Sequence, residues 1–538
     1  MSNSDSKKPY WSIGEPMVWI TGLALSITLL SAIILLLVVM RNGLGVFWPS
    51  EVLDFQQKDG SRAIGVLMQT EDHPHTGKQR FQLYTGNRDI YGLDFRWVDA
   101  ADIRETSVPE KLIVLERMEY GNYLGFLKNV ESPASHALES QELTQKFEEI
   151  LDYAHERKKD IEAIEDQITE VNYAMENILR HELKLKYKKV PGDDPEFQEI
   201  KDQKAQLQKK FQDLMVQQNQ KIQELSVFTA EFEDASGKTN QIPVMNIVRF
   251  FYPNQMSVPQ KVGFYIGKIH ELLFDEPREA NTEGGLLPAI FGTVIMVLLM
   301  SMFSFPLGVI TAVYLREYAK EGFVVRLVRI AVNNLAGIPS IVYGVFGLGF
   351  FVYGIGSTID QLFFPEVLPT PTFGTGGILW ASLTLSLLTV PVVIVATEEA
   401  LGSIPSGIRE GSLALGATRF QTLMRVVLPM SSPGIMTGFI LAMARAAGEV
   451  APLMITGVVK LAPSLPIDGR FPFVHLERKF MHLGFHIYDV GFQSPNVEAA
   501  KPMVFVTTFL LVLIVLGMSS VAIYMRNKMK KRYTIKSF

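Results

Sequence analysis

The sequence predicts an α-helical polytopic membrane protein with six transmembrane helices and a mixed β and coiled-coil domain outside the bilayer. Three observations predict it. Six apolar runs are long enough to cross a bilayer, a long charge-rich stretch separates the first from the second, and the residue periodicity changes within that stretch. Of 538 residues, 48% are hydrophobic and 20% are charged. Apolar spans must therefore be joined to a sizeable polar body. The net charge of -5 lacks the basic footprint of a nucleic-acid-binding domain. Cysteine is absent, which removes disulfides, thiolate metal sites and a cysteine nucleophile together. The nine histidines are scattered, and no metal site or catalytic constellation is expected.

A span needs roughly 20 mostly apolar residues to cross about 30 Å of hydrocarbon. The first is 18–40, uncharged throughout. Lys7 and Lys8 precede it, as in a secretory leader. Its apolar run is longer than a leader's, and no small-residue cleavage site follows Arg41, so it is read as a retained span. Five more are expected at 286–315, 330–353, 377–396, 435–459 and 503–524. Some contain Gly and Pro, as in Phe305-Pro306 and Gly337-Ile338-Pro339, and neighbouring helices can satisfy the freed backbone groups.

Orientation follows from Lys and Arg near the span ends. The segment after the second span holds Arg316, Lys320, Arg326 and Arg329. The basic tail at 526–538 holds Arg526, Lys528, Lys530, Lys531, Arg532 and Lys536, whereas 356–376 has neither Lys nor Arg. Both termini are thus expected in the cytoplasm, with residues 42–285 periplasmic. The segment 460–501 carries basic residues on the outer side, but it is long and mixed in charge and weighs little in the rule. The expected domains are 1–41, 42–285 and a membrane core at 286–530.

Within 42–285, short alternating segments from 62 to 130, separated by Asp59-Gly60 and Gly86-Asn87, predict a small β-rich unit. From 138 to 224 the pattern becomes helical, with Ile161, Ile164, Ile168 and Val171 forming one stripe. Residues 190–195 break the run, which predicts an antiparallel coiled-coil hairpin. Strands at 225–232 and 242–249 are expected to rejoin the same β unit. Ser236-Gly237-Lys238-Thr239 mimics the end of a phosphate-binding loop, but position 232 is Phe where that motif needs Gly. It reads as a hairpin turn, and the chain is expected to hold no ATP of its own. The hairpin is either a solvated structure without a ligand or a platform for a partner outside the membrane.

Between the fourth and fifth spans, at 400–430, runs Glu410-Gly411-Ser412, then Gly416, then Val426-Val427-Leu428-Pro429. This resembles the EAA motif of ABC importer permeases: Glu-Ala-Ala, three residues, Gly, nine residues, then Ile, any residue, Leu-Pro. Gly411 and Ser412 replace the two alanines and Val426 the isoleucine. A helix over 408–415 stopped at Gly416, and a second capped by Thr418 and ending before Pro429, would form a compact knob. Its face of Leu413, Leu415, Phe420 and Leu423 would seat in a groove of an ATPase, with Glu410 paired to a basic residue there. Alternatively the loop lies on the membrane with Arg409, Arg419 and Arg425 facing lipid phosphates.

Three stretches resemble the phosphate-permease group of that family, the PstA type. They are Ala444-Arg445-Ala446-Ala447-Gly448-Glu449-Val450-Ala451-Pro452-Leu453, the run from Gly337 to Gly344, and the run from Ala312 to Tyr318. Val450 stands where the group has Thr. The resemblance covers roughly 285–530 and leaves 42–285 as a large insertion. It implies the type I ABC importer permease fold in a bacterial inner membrane, with no cofactor in this chain and ATP bound by a separate subunit. It also implies a PstC-like permease in a heterodimer, two PstB-like ATPase subunits and a periplasmic PstS-like phosphate-binding protein. Arg445 and Glu449 stand four apart, on one face of an expected helix. As intramembrane charges they are expected either to bridge helices or to mark the anion path. In the latter role Arg445 attracts phosphate and Glu449 orients it. A PstC-type permease, an ABC permease for another solute and a membrane sensor or scaffold are the alternatives.

Overall fold

The computed structural model describes residues 15–72, 77–133, 142–494 and 496–533. Lys7, Lys8, Lys536 and the expected hairpin start at 138–141 lie outside the described residues. Six helices are long and apolar enough to cross a membrane: Met17–Gly45, Leu287–Tyr318, Ser340–Phe363, Ile378–Gly402, Arg419–Ala447 and Val497–Lys531. They are called spans 1 to 6.

Two spans differ from expectation. Span 3 was expected at 330–353 but starts at Ser340, after a separate amphipathic helix, Phe323–Leu335. Gly337-Ile338-Pro339 forms the break, because proline lacks a donor and pushes the residue before it out of helical geometry. Span 5 was expected at 435–459, but its helix starts at Arg419 and ends at Ala447. Average apolarity hides the stop at Gly448, after which Pro452 opens a separate short helix, Ala451–Thr456. The second knob helix therefore does not end before Pro429. A wide π-type turn at Leu423–Val427 precedes the proline and leads straight into the span.

The bundle packs through close backbone contact as well as large side chains. Gly434 and Gly438 of span 5 face Ala400 and Ala396 of span 4, and a Cβ at either glycine would come within 2.5 Å of the alanine methyl. Small residues four apart let membrane helices approach where the apolar solvent supplies no drive of its own. Met296, Met300, Leu385, Leu388 and Ala446 fill the core beside them. Span 1 stands at the edge, exposed along its apolar length and packed on span 6 where Gly43 meets the Phe505 backbone.

Outside the bundle the β region is two five-stranded sheets, not the single unit expected. The first, ordered β4-β3-β2-β1-β5, uses Val52–Gln57 (β1), Arg62–Asp72 (β2), Gln79–Tyr84 (β3), Phe95–Asp99 (β4) and Ile103–Ser107 (β5). Phe55, Ala63, Leu83 and Val98 give it a small core of its own. The second, ordered β10-β6-β7-β8-β9, joins Ile113–Arg117 (β6) and Tyr123–Glu131 (β7) to three strands that follow the helical hairpin. These are Thr229–Glu233 (β8), Thr239–Pro243 (β9) and Ile247–Phe251 (β10). The segment expected as a strand from 225 stays helical through Ser226.

The hairpin pairs Leu143–Tyr187 with Pro195–Ser226. Asp194 caps the second helix by accepting from the Glu196 N–H at 2.9 Å, and Pro195 follows at the first helical position. Ile161 and Val171 of the stripe are buried, with Ile164 and Ile168 half-buried between them. Phe147, Ile150 and Ala154 seat its base on the second sheet against Tyr123 and Phe232. Further along, the Tyr173 hydroxyl donates to the Phe471 carbonyl at 3.2 Å and Lys184 pairs with Glu366 at 3.8 Å. The hairpin thus touches the loops at one end of the bundle. At Asp234 the phosphate-loop mimic is a turn between β8 and β9: the Asp234 carboxylate accepts from the Ser236 and Lys238 N–H groups, and Gly237 has φ +81°.

Candidate functional site

The 400–430 segment lies at the end of the bundle opposite the outer domain. Its first helix is Ser406–Ala414, one or two residues earlier than the spacing suggests. Gly416 ends it with φ +87°, a left-handed geometry that costs a side chain about 1–2 kcal/mol. Thr418 caps the next helix by accepting from the Gln421 N–H at 3.2 Å, and Gln421 accepts from the Thr418 N–H at 2.9 Å. This reciprocal capping box sets the angle between the two arms. Ser412, one of the departures from alanine, shares a 2.9 Å hydrogen bond with the Thr422 hydroxyl and ties the arms together. Gly411 has open space around it, so a methyl there would meet nothing.

The face of the knob divides differently from the expectation. Leu413, Phe420 and Leu415 are exposed, Leu415 at 92%. Leu423 is instead buried with Leu401, Ile404 and Val427 in a small core beneath the knob. Glu410 is exposed and has no ion-pair partner among the described residues. Val426, Leu428 and Pro429 are half-buried where the second arm becomes span 5.

Arg409 does not face outward with Arg419 and Arg425. It turns under the knob and donates to the Leu401 and Ile404 carbonyls, each at 2.7 Å. Leu401 lies in the last turn of span 4, where helical carbonyls lack intrahelical donors, and Ile404 lies in the bend just beyond it. The same guanidinium pairs with Glu317 at 2.9 Å. Glu317 belongs to the wide turn Tyr314–Tyr318 at the end of span 2. Nearby, Arg329 pairs with Glu398 of span 4 at 3.5 Å and donates to the Leu315 carbonyl. Sequence reading missed this joint. The available signal was a Glu within the 312–318 stretch and an Arg beside Glu410, with nothing to pair them across the chain.

At the other end of span 5, Arg445 and Glu449 stand 3.7 Å apart. They do not share a helix face. Arg445 lies in the last helical turn and Glu449 in the turn beyond Gly448, which brings its carboxylate back. Both side chains are partly exposed, at 34% and 21%, beside the open surface of Leu441, Ala444 and Gly448. The 337–344 and 444–453 stretches meet here: a Cβ at Gly344 would lie 2.7 Å from the Pro452 Cα.

Six apolar spans around a tight glycine–alanine crossing, with an exposed knob clamped between two of them, define a multi-pass membrane permease component. Residues 304–531 match the family described as binding-protein-dependent transport system inner membrane component. The chain is 33% identical to the probable ABC transporter permease YqgI of Bacillus subtilis, over 40% of its own length and 70% of the relative. It is 32% identical to the probable phosphate transport system permease PstA of Methanocaldococcus jannaschii, over 40% of the chain and 67% of the relative. With YqgH of Bacillus subtilis it shares 34% identity over 36% of the chain, and it spans 59% of that relative. A solved structure of the MetNI methionine ABC transporter aligns at 19% identity and TM-score 0.32, over 46% of this chain and 96% of that one. The chain belongs to the binding-protein-dependent transport system inner membrane component family.

Proposed function

We propose that the chain is the PstA-like permease subunit of an ATP-driven importer of inorganic phosphate. The observation that carries the reading is the knob: an exposed Glu410 and Leu415 held rigidly, through Arg409, on the ends of spans 2 and 4. A surface so clamped turns a push on the knob into tilting of the bundle. The name of the relative in Methanocaldococcus jannaschii supports phosphate as the cargo.

In this reading both termini and the knob face the cytoplasm, and residues 42–285 face the periplasm. Two PstB-like ATPase subunits dock on Glu410, Gly411, Ser412, Gly416, Leu428 and Pro429, and they hold the ATP. A PstC-like permease completes a heterodimer against the open face beside Arg445. A PstS-like binding protein delivers phosphate to the outer mouth. Arg445 supplies a permanent positive charge on the path, and Glu449 holds its guanidinium in place. Closure of the ATPases on ATP then drives alternating access.

Membranes from cells carrying the wild type or Glu410→Lys are solubilised, and the ATPase subunit is pulled down. Phosphate uptake is measured in the same strains. The variant is expected to fold, lose the ATPase and stop importing phosphate. Retention of both would refute the docking role.

A further inference from the structure

A cavity of about 540 Å³ lies where the outer domain meets the ends of spans 1 and 6, far from the knob. This is the size range of small-molecule sites, roughly 300–1,000 Å³. Its membrane side is built from Arg41 near the end of span 1, Phe47 and Trp48 just after it, and Met503 and Phe505 of span 6. Its outer-domain side carries a group of charges, and nearly all of them are matched. Lys268 pairs with Glu116 at 2.8 Å and with Glu271 at 3.1 Å. Arg88 pairs with Glu279 and, at 3.9 Å, with Asp94, and on the membrane side Lys501 of span 6 pairs with Glu498 at 2.5 Å.

Two charged residues of the wall have no ionic partner among the described residues: Glu283 and Arg41. Glu283 sits on the outer-domain side, on a two-residue strand, and what remains of its surface opens on the cavity. Burial and then the neighbouring Glu116 push its carboxyl up to about 7, while Lys268 and Arg278 pull the other way. Arg41 sits at the membrane end and is exposed. The wall therefore lacks one cation at its outer-domain side and one anion at its membrane end.

We propose that the cavity binds the headgroup of a phospholipid bearing a primary ammonium, with the ammonium at Glu283 and the phosphate at Arg41. The acyl chains run along the exposed apolar flank of span 1, which packs so closely on span 6 that a Cβ at Gly43 would lie 3.1 Å from the Phe505 carbonyl oxygen. Trp48 follows the last residue of span 1 by three positions, and amphipathic rings are enriched at such span ends. Free inorganic phosphate does not fit this pattern, because it leaves Glu283 unmatched. An anionic phosphatidylglycerol has the phosphate without the ammonium.

The full chain, purified in detergent with its partner subunits and stripped of lipid, is offered phosphatidylethanolamine, phosphatidylglycerol or soluble glycerophosphoethanolamine. Retained ligand is read by native mass spectrometry. Wild type is expected to hold phosphatidylethanolamine about tenfold better than phosphatidylglycerol, the weight of one charge-assisted hydrogen bond. Glu283→Gln, which keeps the shape, erases that preference while its melting temperature does not fall. Arg41→Gln weakens retention of phosphatidylethanolamine. Equal retention of the two lipids by wild type overturns the proposal, as does an unchanged preference in Glu283→Gln. Displacement of the lipid by the soluble headgroup at equal concentration overturns its membrane origin.

Discussion

Arg409 and Glu317 meet at 2.9 Å across 92 residues of sequence, and through that contact the knob is joined to the end of span 2. The same guanidinium donates to the Leu401 carbonyl in the last turn of span 4 and to the Ile404 carbonyl just beyond it. One side chain thus ties together three pieces that must move as one if force is to pass from the knob into the bundle.

Replacing Arg409 with Ala should separate docking from transport. The exposed face of Glu410 and Leu415 survives, so the ATPase still co-purifies. Uptake falls on the order of tenfold, because charge-assisted bonds to span ends are lost. The exchange Arg409→Glu with Glu317→Arg should recover part of it. Uptake by Arg409→Ala at the wild-type rate would exclude a coupling role.

Leu415 is 92% exposed, so Leu415→Asp should leave stability within about 0.5 kcal/mol. The measurement is ATPase recovery in a pull-down beside a thermal melt. Recovery should drop while the melt stays put. Gly416→Val should act through the backbone instead, lowering stability by about 1–2 kcal/mol because its φ is +87°. If Leu415→Asp melts early, the side chain is structural and the docking surface lies elsewhere.

Arg445→Gln should abolish phosphate uptake and leave assembly with the partner subunits intact, since both members of its ion pair are partly exposed. Arg445→Lys should restore only part of the uptake, as a point charge lacks the planar fork. Normal import by the Gln variant, in a strain lacking other carriers, would remove Arg445 from the path.

The Glu283 carboxyl titrates at about 7 in the folded chain, raised by burial and by Glu116. An acid whose folded pKa lies above its unfolded value of 4.5 destabilises the fold when it ionises. In lipid-free detergent the protein should therefore lose stability as pH rises from about 4.5 through 7. At pH 8 the loss is on the order of 3 kcal/mol, at about 1.4 kcal/mol per pH unit. Glu283→Gln should flatten that part of the melting profile. Parallel profiles for the two proteins would show that Glu283 ionises at no cost.

The parts of this molecule that follow from local pattern were legible in its sequence. The six apolar runs, the Ile161-to-Val171 stripe and the Glu410–Gly416–Pro429 spacing each depend on neighbours a few residues away. Breaks inside apolar runs were harder to read. Gly337-Ile338-Pro339 separates an amphipathic helix from span 3, and Gly448 with Pro452 stops span 5, yet average apolarity passes over both. Pro429 misled in the opposite direction, because the wide turn before it lets the helix continue. Long-range pairing was legible only in part. The return of strands to the β region after the hairpin was expected, but no local signal divides the strands into two sheets or aims Arg409 at Glu317. Leu423 was assigned to the docking face on periodicity alone, and only the packing of Leu401 and Ile404 shows that it points inward.

The first hairpin helix, 45 residues long, spans about 68 Å at 1.5 Å per residue. A helix of that kind does not telescope. The separation between its seat at Phe147 on the second sheet and its touch at Glu366, ahead of span 4, is therefore a fixed dimension of the protein. If the outer mouth widens, Lys184 must part from Glu366 or the entire bar must swing with the loop. A swing of about 5° would carry the far tip about 6 Å at that length. The chain has no cysteine of its own, so Lys184→Cys with Glu366→Cys would give a bifunctional thiol cross-linker one place and no other to bridge that joint. In the proposed transport cycle, this helix is a gauge of how far the mouth has opened.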